Sequence, residues 1–360
     1  MRVVVVGATG NVGTSLVRVL SEDSRIQSVL GVARRRPGLE LPKVEWATAD
    51  VVQDDLAGLF SGANAVVHLA WAIQPSRDEA ALRHANIGGS ARVAAATIEA
   101  GVPALVYASS VGTYSPGPQD RLVDESWPTD GISSSFYSRH KAAVERHLDV
   151  VERGHPGLRI VRLRPALTFR RSAAEGIRRL FLGPFLPPFV FRRGLIPLAP
   201  WLDDLRFQAV HSDDVADAYR RAVVSDVRGA FNVAAEPVVD RGTMSRLLGA
   251  RIVALPRWLG HPALSALWRL RLQPSPPGWI DMGLSVPMLD TTRAREELDW
   301  SPRHTAVEAV TELLEGLSET AGDATPPLAR STSGRARVRE VATGVGARDG
   351  VARTEERSST

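Results

Sequence analysis

Short unbroken apolar runs alternate along this chain with longer stretches whose apolar residues recur every three to four positions. The runs Arg2 to Val6, Ser28 to Ala33, Val44 to Thr48, Ala65 to Leu69, Ala104 to Ala108 and Leu158 to Leu163 read as buried strands. Between them, Thr14 to Leu20, Arg77 to Ala100 and Ser135 to Val151 carry the helical period, and Gly101 suits a helix C-cap. Phe207 to Val224 reads as a short strand, an Asp cap and an amphipathic helix, and Gly229 to Ala234 as a further strand. Strands alternating with helices predict an α/β fold with a doubly wound parallel sheet.

Domain organisation follows from where this alternation stops. Residues 1–165, completed by about 207–235, form the expected Rossmann-type domain. Residues 166–206 and 236–318 form a smaller substrate-binding lobe of mixed helices and short strands. From about Glu319 the pattern fades. Residues 319–360 are expected to be a disordered tail, since 321–360 hold no aromatic side chain, seven arginines and five acids.

Composition narrows the class. The 360 residues carry 44% hydrophobic and 23% charged side chains, as a soluble globular protein does. There is no cysteine, so thiol nucleophiles, thiolate metal sites and disulfides are excluded. No His/Asp/Glu spacing suggests a metal. The net charge of +4 is too small and too balanced for a nucleic-acid surface. The most apolar stretch, Leu180 to Ala199, is broken by prolines and by Arg192-Arg193, so no membrane span is expected. The Trp-bearing run Arg257 to Leu272 reads as a packing surface rather than a membrane anchor. A cytoplasmic protein is expected.

Two segments carry chemistry. Directly after the first strand comes Gly7-Ala-Thr-Gly10-Asn-Val-Gly13, and a helix follows. Strand, glycine turn and helix together predict a dinucleotide site, with Gly7, Gly10 and Gly13 letting the backbone approach a pyrophosphate at the helix N-terminus. After the second strand the place of the usual ribose-binding acid is Ala33, followed by Arg34-Arg35-Arg36. Guanidiniums there favour NADP over NAD, with Arg34 meeting the 2′-phosphate.

The second segment is Tyr137-Ser-Arg-His-Lys141. Residues four apart share a helical face, and a cation beside a phenol lowers its pKa from about 10. Tyr137 is thus a candidate general acid/base. The chain has only two lysines, Lys43 and Lys141, against 42 arginines, so the pairing is informative. The fifth strand delivers Ser109 and Ser110 to its carboxyl end, where ligands bind in open α/β sheets. His68, His140 and His211 read as structural.

Taken in order, these pieces resemble the extended short-chain dehydrogenase/reductase family, also called NAD-dependent epimerase/dehydratases, over roughly residues 1–318. The matching residues are the glycine turn, Asp50, His68-Leu69-Ala70, Asn86, Tyr107-Ala-Ser-Ser110 with Tyr114, Tyr137 to Lys141, Arg164-Pro165, residues 210–218, 231–234 and 298–302. The resemblance implies that Ser110 and Tyr137 bind the reacting oxygen, Tyr137 passing the proton. Lys141 would hold the nicotinamide ribose and lower the Tyr137 pKa. It places Asp50 at the adenine and extends the cofactor set to Thr9, Asn11, Val12, Val51, Leu69, Ala70, Asn86 and Pro165. It also implies a homodimer through the helices around Asn86 and Tyr137.

The chain departs from the family in ways that bear on substrate. Ser110 is followed by Val111-Gly112 rather than the acidic pair of sugar-nucleotide 4,6-dehydratases. After the sixth strand, Arg164 to Phe169 lacks the Asn by which epimerases contact a nucleotide diphosphate. The apolar segment Ile177 to Trp201 suits an apolar carbonyl compound better than a diphosphate. The expected activity is carbonyl–alcohol interconversion on an apolar small molecule. A nucleotide-sugar epimerase with retained NAD is the alternative, and a non-catalytic dinucleotide sensor ranks behind both.

Overall fold

The computed structural model describes residues 1–74, 77–183 and 185–329. Its centre is a seven-stranded parallel sheet: β1 (Arg2–Val6), β2 (Ser28–Ala33), β3 (Val44–Thr48), β4 (Ala65–His68), β5 (Ala104–Ala108), β6 (Arg159–Pro165) and β7 (Gly229–Val233). The order across the sheet is β7-β6-β5-β4-β1-β2-β3. The order reverses between β1 and β4, and a crevice opens there at the carboxyl ends of the strands. The valine run of β1 is buried on both faces, Val3 and Val5 in one apolar cluster and Val4 and Val6 in the other. That two-sided burial is why the strand reads as an unbroken apolar run rather than an alternating one.

Helices cover both faces. Asn11–Glu22 packs beside Ser212–Val224 on one side, while Gly89–Glu99 and Phe136–Gly154 lie on the other. Ser135 caps the last of these, accepting from the Ser138 amide. The expected Asp cap of Ser212–Val224 is instead His211, whose Nδ1 accepts from the Asp213 amide at 3.3 Å; the two aspartates lie in the first turn. The helix expected over Arg77 to Ala100 is also not uniform. Residues Glu79–Arg83 are α-helical, His84–Gly88 form a π turn, and the α-helix resumes at Gly89.

The remaining segments build a lobe beside the crevice. A three-stranded sheet joins Leu167–Phe169, Phe207–His211 and Ala235–Val239, and a two-stranded parallel ribbon pairs Leu198–Leu202 with Arg251–Leu255. The chain stays packed past the compositional boundary at Glu319. Ala321, Thr325 and Leu328 are buried, Leu328 lies against Gly176, and Asp323 pairs with Arg170 at 3.0 Å and Arg18 at 3.3 Å. A tail composition conceals this anchor because one acid suffices to seat a buried arginine. The remainder of the expected tail, residues 330–360, lies outside the described residues.

Candidate active site

At the mouth of the crevice Gly7 adopts φ +88°, and a Cβ there would lie 2.5 Å from the Ala70 nitrogen. Gly13 is equally constrained, since its Cβ would meet the Gly7 carbonyl at 2.4 Å. Gly10 has only that same carbonyl nearby, at 3.5 Å, so its outer side is open. The Asn11–Glu22 helix begins there with no side-chain cap. Its first amides are therefore left to an outside acceptor, and this cradle fits a pyrophosphate. Thr9 is buried beneath the turn and Val12 half-buried on the helix.

The other expected cofactor residues divide by what their side chains already do. Arg34 is exposed at the end of β2, with no hydrogen bond or ion pair among the described residues. Asp50 spends one carboxylate oxygen on the Val52 amide at 2.9 Å, and Val51 rests on Gly89. Leu69 and Ala70 form the loop facing Gly7. Asn11 is engaged elsewhere: its amide donates to the Thr168 carbonyl at 3.1 Å, and its oxygen accepts from Ser212 at 2.8 Å and Arg170 at 3.1 Å. Asn86 is likewise engaged, accepting from the Ala72 amide at 2.7 Å and donating to the Ala72 carbonyl at 2.8 Å. Through these bonds both asparagines shape the loops around the site, and each keeps one amide N–H to offer. Pro165 ends β6 opposite Val233.

Ser110, Tyr137 and Lys141 do come together at the ends of β5 and the Phe136–Gly154 helix. Ser110 accepts from the Gly112 amide at 3.0 Å and is close enough to the Tyr137 phenol to lower its pKa. Gly112 makes room for that phenol, since a Cβ there would meet the tyrosine ring at 3.0 Å. Lys141 is buried; its ammonium donates to the Ala108 carbonyl at 2.6 Å and lies 3.6 Å from the Trp71 ring centre. The Tyr137 ring stands 4.8 Å from Trp279 and 5.9 Å edge-on to Trp71, and Phe181 meets Trp279 at 4.9 Å.

The electrostatics differ from the expected ones. Burial pushes the Tyr137 phenol above its ordinary value, and the Ser110 hydroxyl only partly opposes this. Burial also drives the Lys141 ammonium well below its usual range, with the Glu145 carboxylate pulling the other way. A cation that is itself pressed towards neutrality lowers its neighbour little. The phenol is thus held protonated.

Beneath the trio lies a buried pair that sequence reasoning passes over. Arg164 donates from Nε to Glu145 at 2.9 Å and from Nη1 to the Tyr114 hydroxyl at 2.9 Å. Ser109 also donates to Glu145, and the Tyr114 hydroxyl donates to Asn232 at 2.7 Å. Burial alone would raise the Glu145 carboxyl, but the Arg164 hydrogen bonds and charge hold it below the ordinary range. A sequence signal does exist: Glu145 stands four residues beyond Lys141, on the same helical face.

Comparison with known proteins bears on the family and the fold. Residues 3–234 match the model of the NAD dependent epimerase/dehydratase family. An uncharacterized protein of Mycobacterium tuberculosis (strain ATCC 25618 / H37Rv) is 27% identical over 349 residues, covering 93% of this chain and 88% of that protein. A putative dihydroflavonol 4-reductase of Synechocystis sp. is 26% identical over 158 residues, 42% of this chain and 45% of its own. Among solved structures, the UDP-glucose 4-epimerase of Thermus thermophilus complexed with NAD superposes with a TM-score of 0.63 at 21% identity, over 88% of this chain and 99% of that one.

Proposed function

The chain belongs to the NAD dependent epimerase/dehydratase family, and on that premise we propose that it is an oxidoreductase interconverting a ketone or aldehyde with its alcohol on an apolar small molecule. Bound NAD(P) supplies the hydride chemistry. Gly7, Gly10, Gly13 and the amides of Thr9 and Val12 hold its pyrophosphate, Asp50 and Val51 its adenine, and Arg34 the 2′-phosphate that makes NADP the preferred form. Leu69, Ala70 and Pro165 flank the nicotinamide half, and Lys141 holds the ribose. Ser110 and Tyr137 bind the reacting oxygen, and Tyr137 gives it a proton when the carbonyl is reduced. A phenol raised by burial is protonated at neutral pH, which suits that direction.

The aromatic wall carries the substrate reading. Trp71 and Trp279 flank the phenol and Phe181 extends the wall from Trp279, and flat apolar molecules stack on such surfaces. The Arg164 guanidinium, near the carboxyl end of β6, is sealed against Glu145 and Tyr114 rather than offered to a diphosphate. A second reading, a nucleotide-sugar epimerase that retains NAD, draws support from the Thermus neighbour.

Denaturing the purified protein and identifying any released nucleotide by mass spectrometry separates the two. An empty site that oxidises NADPH with aromatic ketones supports the reductase. Stoichiometric NAD with UDP-glucose turnover supports the epimerase instead. Arg34→Ala should weaken NADPH binding by about tenfold and leave NADH unaffected, as loss of one guanidinium–phosphate contact predicts.

A further inference from the structure

Of the 14 large apolar side chains that stand exposed among the described residues, 11 fall between residues 185 and 272, so the exposure is concentrated in the lobe. Its focus is the Arg257–Arg269 helix, expected to pack through its apolar residues. Trp258 is 73% exposed, and Leu259, Leu267 and Leu270 are exposed with it. Pro262, Ala263 and Ala266 are exposed too. At roughly 100° per residue these positions fill one continuous half of the helix and its C-cap. The opposite half turns inward, where a Cβ on Gly260 would meet the Leu202 side chain at 2.3 Å.

The ribbon continues the same surface. Leu198 is aligned with Arg251 and Pro200 with Val253, and alternation along each strand puts these four exposed side chains on one face. Two residues further along that face, Leu202 and Leu255 pack under Gly260 and join ribbon to helix. Its charge has one sign: residues 178–202 and 246–275 contain arginines and no acid. Arg192, Arg193, Arg251, Arg269 and Arg271 are exposed, with no carboxylate in ion-pair range among the described residues. Of the nearby acids, Asp281 lies 3.7 Å from Arg257 and 3.4 Å from His261, and Asp203 lies 3.8 Å from Arg241, while the exposed Asp204 beyond the ribbon has no ion pair among the described residues.

We propose that this face of the lobe docks on the surface of an anionic lipid bilayer. The helix lies in the plane of the headgroups, with Trp258 and the exposed leucines at the acyl boundary and the arginines at the lipid phosphates. No helix among the described residues is long and apolar enough to cross a membrane, so the association is peripheral. A second copy is a poorer occupant, because a two-fold interface sets the patch against itself, arginine facing arginine. The surface stands apart from the proposed reaction.

Flotation of the full 360-residue chain with vesicles of phosphatidylcholine, alone or mixed with phosphatidylglycerol, tests this. The protein should float only with the anionic vesicles and be released by salt. The triple variant Leu259→Ser, Leu267→Ser, Leu270→Ser should cut the bound fraction by about tenfold or more, and Arg192→Ala with Arg193→Ala by roughly fivefold per charge. Trp258→Ser alone, at the most exposed position, gives the same direction if the triple variant fails to fold. Absence of flotation, or flotation that survives these changes, overturns the proposal. So does a dimer in light scattering that the leucine changes abolish without any vesicle binding, which assigns the face to a second copy.

Discussion

The Lys141 ammonium is held between two partners, the Ala108 carbonyl at 2.6 Å and the face of Trp71 at 3.6 Å from its centre. A desolvated cation–π contact contributes up to about 2 kcal/mol, less for an ammonium that burial presses towards neutrality, and truncating the half-buried indole costs packing as well. Trp71→Leu should therefore lower stability by roughly 2 kcal/mol from the two effects together in denaturant melts, and Trp71→Phe by less. An unchanged midpoint in Trp71→Leu would mean that the carbonyl alone holds the lysine.

Tyr137→Phe keeps the ring against Trp279 and Gly112 but removes the proton. Turnover should fall by roughly 10²–10⁴-fold, the usual contribution of a placed acid/base, while cofactor affinity stays within about threefold. Loss of cofactor binding in calorimetry would contradict the assigned role.

Glu145→Gln leaves the buried Arg164 guanidinium without its counter-charge. Breaking one side of such a pair costs about 3–5 kcal/mol. The double change Glu145→Leu, Arg164→Met should recover much of that loss, since it removes both charges together. A double variant no more stable than Glu145→Gln would show that Tyr114 and Ser109 need the pair for their own hydrogen bonds.

Burial holds the His68 ring down to about 3 and the His140 ring down to about 4. In the unfolded chain histidine titrates near 6.5, so below that value the unfolded state takes up protons that the folded state refuses. Stability is full above about pH 6.5 and is lost as the pH falls towards these lower values, at up to about 1.4 kcal/mol per pH unit for each ring. His140→Asn should flatten the profile of melting temperature against pH between 6.5 and 4. A profile as steep as the parent's would assign the acid sensitivity to other groups.

What can be read in advance follows from local physics. Strands buried on both faces show as valine runs, and β2, β3 and β5 fall on the expected residues. The glycine turn and the Tyr137–Lys141 spacing announce themselves because each needs particular residues a few positions apart. The features that are not legible depend on distant partners. Asn86, expected at the cofactor, also exchanges two hydrogen bonds with the backbone of Ala72, 14 residues earlier. Glu145 and Arg164 meet across the helix–strand layer. The Asp323 anchor finds Arg170 from 153 residues away. The Arg257 to Leu272 run carries a helical apolar stripe, and periodicity cannot say whether such a stripe faces inward or out.

The edge strand β7 comes from residues translated after much of the lobe, yet it completes the sheet beside β6. At 5–20 residues per second, the interval between residues 165 and 229 lasts roughly 3–13 s on the ribosome. Throughout it, β6 waits with one unpaired edge. Tyr114 also waits, because Asn232, the residue that fastens it, has not yet been made. Birth order therefore leaves the floor of the reaction centre among the last parts to close, and a nascent chain stalled inside the lobe exposes an adhesive strand rather than a half-working enzyme.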